Sequence, residues 1–307
     1  MTRTIRPLAA AVRFVCRHLP IVSGHGTLVQ LPPLRWVTIS NEPHCWITLD
    51  STIATKIPVD DFIGRAAFFF GDHDPKIFLT LRSVLTSDST FVDIGANIGT
   101  VSLRCARIAR RVVAVEPQRQ AAELLIESAL RNGMANIEVH TIALSNRNGT
   151  GTLHVRSVDN SGQTVLNPLP PIASPGAIVV REATTFLSAL SLVGDYVIKL
   201  DVEGHEATII ESGLPYFRKH RPKAILFEMN SGPNSIASTP LLNSLSTLGM
   251  SVYAIQKSLL SFALVPIRCP RACGATDFIA VSSGKTSAPK DSEHPCGTTL
   301  LDSGRFT

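Results

Sequence analysis

No apolar run in this chain of 307 residues reaches the ~18 residues that a membrane-spanning helix requires. The N-terminal apolar stretch from Pro7 to Cys16 is interrupted by Arg13 and followed at once by Arg17 and His18. That excludes a transmembrane helix and favours an amphipathic helix over a signal peptide, so a cytoplasmic chain is expected. Aromatic residues are scarce, at 6%. Lysines and arginines are scattered, which argues against a nucleic-acid partner despite a net charge of +5. The six cysteines show no disulfide framework. Cys269-x-x-x-Cys273 with His294 and Cys296 fits no standard zinc spacing, so no metal site is expected there. No internal repeat is visible. Charged residues make up only 17% against 44% hydrophobic, which describes a globular chain with an ample core.

What is present is centred on Phe91 to Thr100, read Phe-Val-Asp-Ile-Gly-Ala-Asn-Ile-Gly-Thr. A short apolar run meets an acid, then two glycines four apart, then an apolar pattern at helical spacing. This order reads as strand, tight turn and helix, with the turn at the carboxyl edge of a parallel sheet. Gly95 and Gly99 permit positive φ and a close approach to the backbone. A second apolar run, Arg111 to Val115, ends in Glu116-Pro117. Glu116 lies about 20 residues past the first glycine, where nucleoside-binding βαβ units carry a ribose-binding carboxylate. Nicotinamide dinucleotides usually require G-x-G-x-x-G, and Gly-Ala-Asn-Ile-Gly lacks that spacing. A nucleoside without phosphates suits the turn better, and S-adenosylmethionine is the first candidate.

Three blocks carry a family resemblance: Asp93-Ile94-Gly95-Ala96-Asn97-Ile98-Gly99, Val115-Glu116-Pro117, and Ile198-Lys199-Leu200-Asp201-Val202-Glu203-Gly204-His205-Glu206. Together with Ala224-Ile225-Leu226-Phe227-Glu228, in that order over roughly His73 to Val281, they resemble the FkbM family of S-adenosylmethionine-dependent methyltransferases. The resemblance implies a Rossmann-like, seven-stranded α/β sheet with helices on both faces. It also implies methylation of a hydroxyl on a sugar, polyketide or other small metabolite. By that resemblance Asp93, Gly95 and Asn97 line the methionine side of the cofactor, with Ala96 and Gly99 in the same turn. Glu116, followed by Pro117, holds the ribose, and Ala143 and Leu144 lie near the adenine. A buried strand end accounts equally well for Ala143 and Leu144.

Three regions are expected: an N-terminal arm and cap over residues 1–72, the methyltransferase domain over 73–282, and a disordered tail over 283–307. In the first, a helix gives way to a loop around Ser23-Gly24-His25-Gly26. Arg35 to Asp50 alternates as a small hairpin turning at Asn41-Glu42-Pro43, and Phe62 to Phe70 reads as a short strand. Pro75 to Thr86 reads as a helix. Asn136 to Leu144 is expected to form the third strand and Asp195 to Asp201 the fourth. Between them, Ser157 to Pro175 is rich in Ser, Asn, Gly and Pro and reads as a loop over the substrate.

An alcohol oxygen is a poor nucleophile at its free pKa, so a base should remove its proton as the new bond forms. Asp201 and Glu203 are the candidate bases, with His205 a third and Glu228 a more distant acid. Alternation puts Lys199 on the face of Asp201, where it could orient a carboxylate or the acceptor oxygen. Glu203 and Glu206 could alternatively serve only the backbone amides of the following helix, a role that suits Glu206 best. Metal-free base catalysis ranks above a divalent cation held by the paired carboxylates. Two other functions fit the same fold: an NAD-dependent oxidoreductase, and a nucleoside-binding protein without chemistry. The acceptor is expected to be a small molecule or glycan.

Overall fold

A computed structural model describes residues 5–19, 21, 23–157, 160–169, 177–229, 240–258, 261–267, 274–282 and 299–300, with backbone alone at 154–157, 160–169 and 299–300. Cys269, Cys273, His294 and Cys296, where no metal site is expected, lie outside them, as does most of the expected tail.

Helix α1 (Pro7–Arg17) opens with proline in its first turn, where a missing N–H costs nothing, and buries Ala9 and Cys16. A short helix α2 (His25–Gln30) follows. The hairpin falls later than expected, pairing β1 (His44–Leu49) with β2 (Ile53–Pro58). Its turn uses Asp50 (φ +45°) and Ser51 (φ +60°), residue types that tolerate this region better than most. The segment expected as a strand is instead helix α3 (Phe62–Phe70). The Asp61 carboxylate accepts from the amides of Ile63 and Gly64 and caps it. Helix α4 (Pro75–Val84) leads into the main sheet.

That sheet begins with β3 (Thr90–Ile94), α5 (Thr100–Cys105), β4 (Arg111–Val115), α6 (Arg119–Arg131) and β5 (Ile137–His140). A smaller sheet follows, from β6 (Ala143–Ser145), β7 (Gly149–Ser157), β8 (Asn160–Leu169) and β9 (Ile178–Glu182). Helix α7 (Ala183–Ala189) returns the chain to β10 (Tyr196–Leu200), α8 (Glu206–Lys219), β11 (Ala224–Glu228) and α9 (Pro240–Thr247). The last strands are β12 (Met250–Lys257), β13 (Phe262–Pro266), β14 (Asp277–Ser282) and β15 (Thr299–Leu300). Among the described residues the main sheet has nine strands, ordered β15-β13-β12-β14-β11-β10-β3-β4-β5. The expected seven form its body, parallel from β11 to β5 and antiparallel at β14 and β12. Strands β13 and β15 extend the edge, and β15 lies within the segment expected to be a disordered tail.

Two expectations change in the smaller sheet. The expected third strand divides, because β5 stays in the main sheet while Ala143 to Ser145 pairs with β9. The expected substrate loop is largely a hairpin, with β7 and β8 paired antiparallel from Thr150↔Leu169 to Ser157↔Asn160. Residues 158–159 and 170–175 of that loop lie outside the described set.

Alternate residues of the central strands feed opposite faces of the sheet. Phe91, Val112, Val197 and Leu226 join the core beneath α4. Val92, Val113, Ile198 and Phe227 join the core beneath α7, α8 and α9. The N-terminal region packs into a third cluster that joins Ala9, Leu49, Phe68 and Phe69 to Leu103 and Leu125 of the domain. Arginines stitch this region down. Arg17 donates to the carbonyls of Thr48 (3.0 Å) and Ala67 (3.2 Å). Arg104 binds Asp72 and, at 2.7 Å, Asp50 of the hairpin turn.

Candidate active site

Chain order reverses beside β3. From β3 the strands proceed outward to β4 and β5, and the chain then returns to place β10 on the other flank of β3. Open α/β sheets bind ligands in the crevice at the carboxyl ends of strands flanking such a switch point. Here those ends carry Asp93 and Gly95 on one side and Lys199 and Asp201 on the other, and Lys199 is the register partner of Asp93.

Asp93 is fully buried. Its carboxylate accepts from the Ser102 hydroxyl (2.6 Å) and from Lys199 Nζ (3.0 Å). Lys199 Nζ also donates to the Gly95 carbonyl (3.1 Å) and lies 3.3 Å from Asp201 Oδ2. Burial alone would push this ammonium down, but Asp93 and Asp201 overcome it and hold its pKa above the ordinary lysine value. Asp93 therefore anchors the crevice from below and does not line the cavity.

The turn above it holds Gly95 (φ +83°), Asn97 (φ +50°) and Gly99 (φ +82°) in the left-handed region. A Cβ on Gly95 would sit 1.9 Å from the Asp201 carbonyl oxygen, so the two strand ends touch through their backbones there. The turn is also clamped to the next strand. Glu116 Oε2 accepts from the Asn97 amide and Oε1 from the Gln118 amide, each at 2.8 Å. Glu116 is 4% exposed. Burial raises its pKa to about 7 against those two amide hydrogen bonds.

These groups open onto a cavity of about 370 Å³. One wall is Gly95, Ala96, Asn97, Glu116 and Pro117, and an apolar wall is Ile142, Ala143 and Leu144. The same lining also holds Lys199, Asp201, Glu203 and His205 with Glu228, Thr276 and Asp277. Gly99 stays outside the lining, where an added Cβ would meet Leu125. Glu203 takes φ +53°. The Glu206 carboxylate accepts from the amides of Val202 (3.1 Å) and Gly204 (3.2 Å), so it serves the backbone of its own loop. His205 pairs its Nε2 with the Ser145 hydroxyl (3.0 Å), and burial lowers its pKa.

Among the described residues, Asp201, Glu203 and Glu228 place carboxylate oxygens within 4.8 Å of one another. A divalent cation could bridge that spacing. Crowding has an electrostatic consequence as well. Burial first, then the charges of Asp201, Asp277, Glu203 and Glu206, raise Glu228 to about 8. Asp277 is its register partner on β14 and lies 3.0 Å from the buried Lys76.

The sequence reading did not reach several wall residues. Asp72-His73-Asp74, Phe62 and Ile63, and Gly24, Gly26 and Thr27 of the N-terminal region all line the cavity. Only the Gly24-His25-Gly26 run carried a visible signal, as a loop. His25 itself is buried, with its ring nitrogens 2.9 Å from the carbonyls of Asp72 and Ile21, and so ties the arm to the cavity rim.

Residues 93–248, just over half of the chain, match the FkbM methyltransferase domain family. The chain belongs to that family. The cofactor of the FkbM domain is S-adenosylmethionine. The matched span contains both strand ends of the switch point, the turn, and the Asp201 to His205 loop. Curated proteins give no match. An FkbM methyltransferase structure from Methylobacillus flagellatus aligns with a TM-score of 0.40 at 18% identity, covering 66% of this chain and 47% of that one. The present chain thus spans less than half of that protein. The O-methyltransferase TomG from Streptomyces achromogenes, solved with S-adenosylmethionine, aligns at 0.38 and 14% identity, covering 68% of this chain and 79% of that one. A Thermotoga maritima O-methyltransferase aligns at 0.36 and 12%, covering 70% and 68%. Scores this low carry no argument about activity.

Proposed function

We propose that this FkbM domain is an O-methyltransferase that methylates a hydroxyl of a small metabolite, sugar or glycan. The observation that carries the reading is the make-up of one cavity's lining. A backbone turn, a buried carboxylate and an apolar strip form one part of it, the first wall, and clustered carboxylates form another, the second.

The first wall suits S-adenosylmethionine. Each Glu116 oxygen accepts one amide and keeps acceptor capacity for a vicinal diol. Ile142, Ala143 and Leu144 offer an apolar surface for a purine, and Gly95, Ala96 and Asn97 run beside the amino-acid end. When bound, the cofactor supplies a sulfonium methyl for in-line displacement.

The second wall supplies the base. Lys199 holds Asp201 Oδ2, which leaves Oδ1 to take the proton from an acceptor hydroxyl as it attacks. Glu203 and His205 flank that position and orient the acceptor. Glu228, held in its acid form at neutral pH, can donate a hydrogen bond to a second hydroxyl. Holding both reactants end to end can itself supply up to ~7–11 kcal/mol of the barrier. The density of carboxylates on this wall also favours a second reading, in which the acceptor is an amine.

Calorimetric titration with S-adenosylmethionine, S-adenosylhomocysteine and NAD, repeated on Glu116→Ala, tests the first wall. Binding of the two adenosyl ligands, weakened by the substitution, supports the reading, and binding of NAD alone overturns it. An acceptor screen with hydroxyl and amine compounds, run on the wild type and Asp201→Asn, then separates the two acceptor classes.

A further inference from the structure

The outward face of α1 is apolar where a surface helix is normally polar. Leu8, Phe14 and Val15 are 66%, 68% and 61% exposed, and Leu19 just past the helix is 46% exposed. Leu8, Ala11 and Val15 fall on one line at helical spacing, with Phe14 beside it. The opposite face buries Ala9 and Cys16, so the helix shows apolar side chains both inward and outward. Trp36 is 73% exposed and Leu31 51%. The segment after Trp36 returns to α1, where the Arg6 amide donates to Ile39 O (3.1 Å) and the Arg6 guanidinium to Asn41 Oδ1 (2.7 Å).

The arm that carries this face is basic in sequence. Residues 1–41 contain five arginines and no aspartate or glutamate. On the helical projection Arg6, Arg13 and Arg17 form a flank beside the apolar stripe. A groove lined by Ile5, Ala10, Arg13, Phe14, Arg17 and His18 runs between flank and stripe. Arg13 lies 5.1 Å over the buried Phe68 ring and Arg17 donates to the carbonyls of Thr48 and Ala67, so both turn toward the protein, whereas Arg6 and Arg35 are exposed. Burial lowers Arg17 to about 10, which leaves it cationic at neutral pH.

We propose that this face docks on an anionic lipid bilayer, with Leu8, Phe14, Val15 and Trp36 in the interface and the exposed Arg6 and Arg35 among the headgroups. Arginine-flanked apolar helices with aromatic residues bind such interfaces through apolar burial plus attraction to anionic lipid. A second copy of the same face is a poor partner, because it would set arginine against arginine. Among the described residues no helix is long and apolar enough to cross the membrane, so contact is peripheral. The arm that lies on lipid also contributes Gly24, Gly26 and Thr27 to the cavity wall. Docking would thus bring an acceptor held at the lipid surface near the site, though the docking itself does not rest on the methyl-transfer reading.

The test is co-sedimentation of the full chain with vesicles of phosphatidylcholine alone or with added phosphatidylserine, at low and high salt. Sedimentation is expected only with phosphatidylserine present, and high salt should release the protein. Phe14→Ser with Val15→Ser should weaken binding roughly tenfold or more, with an unchanged melting curve because both side chains are exposed. Trp36→Ser is the independent second variant and should weaken binding without changing the melt. Arg35→Gln, which removes an exposed charge beside Trp36, should cost roughly fivefold, about 1 kcal/mol. Equal binding by wild type and variants overturns the proposal, as does failure of the wild type to sediment with anionic vesicles. A concentration-dependent dimer abolished by the double substitution, in place of lipid binding, would assign the face to a second copy instead and equally overturn it.

Discussion

Lys199 meets Asp93 across the switch point of the sheet, Nζ to Oδ1 at 3.0 Å, with both side chains buried on adjacent parallel strands. The lysine then bridges to Gly95 O and Asp201, so one ammonium joins the sheet core, the turn and the candidate base. Asp93 holds the lysine, and the lysine holds the proposed base.

Lys199→Met should therefore act first on stability. It leaves the Asp93 carboxylate buried with only the Ser102 hydroxyl. Removing one partner of a buried pair costs about 3–5 kcal/mol. Denaturant melts should show that loss, and adding Asp93→Asn should recover much of it. A single variant as stable as wild type would mean that the pair contributes nothing.

Gly95→Ala and Gly99→Ala should differ in severity. Both require a residue with positive φ, a cost of roughly 1–2 kcal/mol for a side chain. At Gly95 the new Cβ also meets the rigid Asp201 carbonyl at 1.9 Å, whereas at Gly99 it meets Leu125 Cδ1 at 2.1 Å. A leucine tip can rotate away and a strand end cannot. Gly95→Ala is expected to lose cofactor binding along with stability, and Gly99→Ala to lose mainly stability. Paired calorimetry and thermal melts would check this ordering.

The same contrast between local and distant causes explains how much of the molecule was legible in sequence. The strand, turn and helix around Gly95 are specified within ten residues, so apolar runs and glycines suffice to read them. Glu116 was legible as a candidate because its distance from the turn is set by one βαβ unit, and it lines the cavity. The Phe62 to Phe70 helix was missed because its aromatic and β-branched residues read as strand and Gly64 lies inside it. Its signal was the Asp61 cap, which accepts from Ile63 and Gly64. The β7–β8 hairpin hid behind turn-forming residues such as Asn160 and Gly162. Asp72, Asp74 and Asp277 reach the cavity through tertiary packing, which no local spacing encodes.

Asp201→Asn should lower turnover by about 10²- to 10⁴-fold, the usual contribution of a positioned base. Half of its carboxylate stays exposed beside Lys199, so stability should change little. Because the proposed base acts without metal, EDTA should leave wild-type turnover unchanged. Restoration of EDTA-treated protein by Mg²⁺ would instead assign the Asp201, Glu203 and Glu228 cluster to a cation.

Glu228 should give the pH–rate profile a limb near 8. Below that pH it is an acid able to donate to the acceptor, and above it a further negative charge joins Asp201 and Asp277. Glu228→Gln preserves a donor and cannot ionise. The variant should keep activity at neutral pH and lose the limb in KM. A limb unchanged in the variant would place its origin elsewhere.

With Glu116 as the proposed ribose partner, cofactor binding and folding stability are expected to respond to pH in opposite directions. Its carboxylate titrates at about 7 in the folded chain, compared with 4.5 for the free side chain, because burial outweighs the amides of Gln118 and Asn97. Across that window the folded chain keeps a proton that the unfolded chain has released. This group's contribution to stability is therefore fully present below 4.5 and lost as pH rises through 7. Binding has the opposite sign. A diol donates best to the ionised carboxylate, so affinity for S-adenosylmethionine should fall by about tenfold per pH unit on the acid side. Glu116→Ala removes both charge-assisted hydrogen bonds to the diol, each about 1.5–3 kcal/mol when fully made. Calorimetry should show affinity reduced by at least about tenfold, with little pH dependence left. A pH-independent wild-type affinity would show that the ribose is not held by this carboxylate.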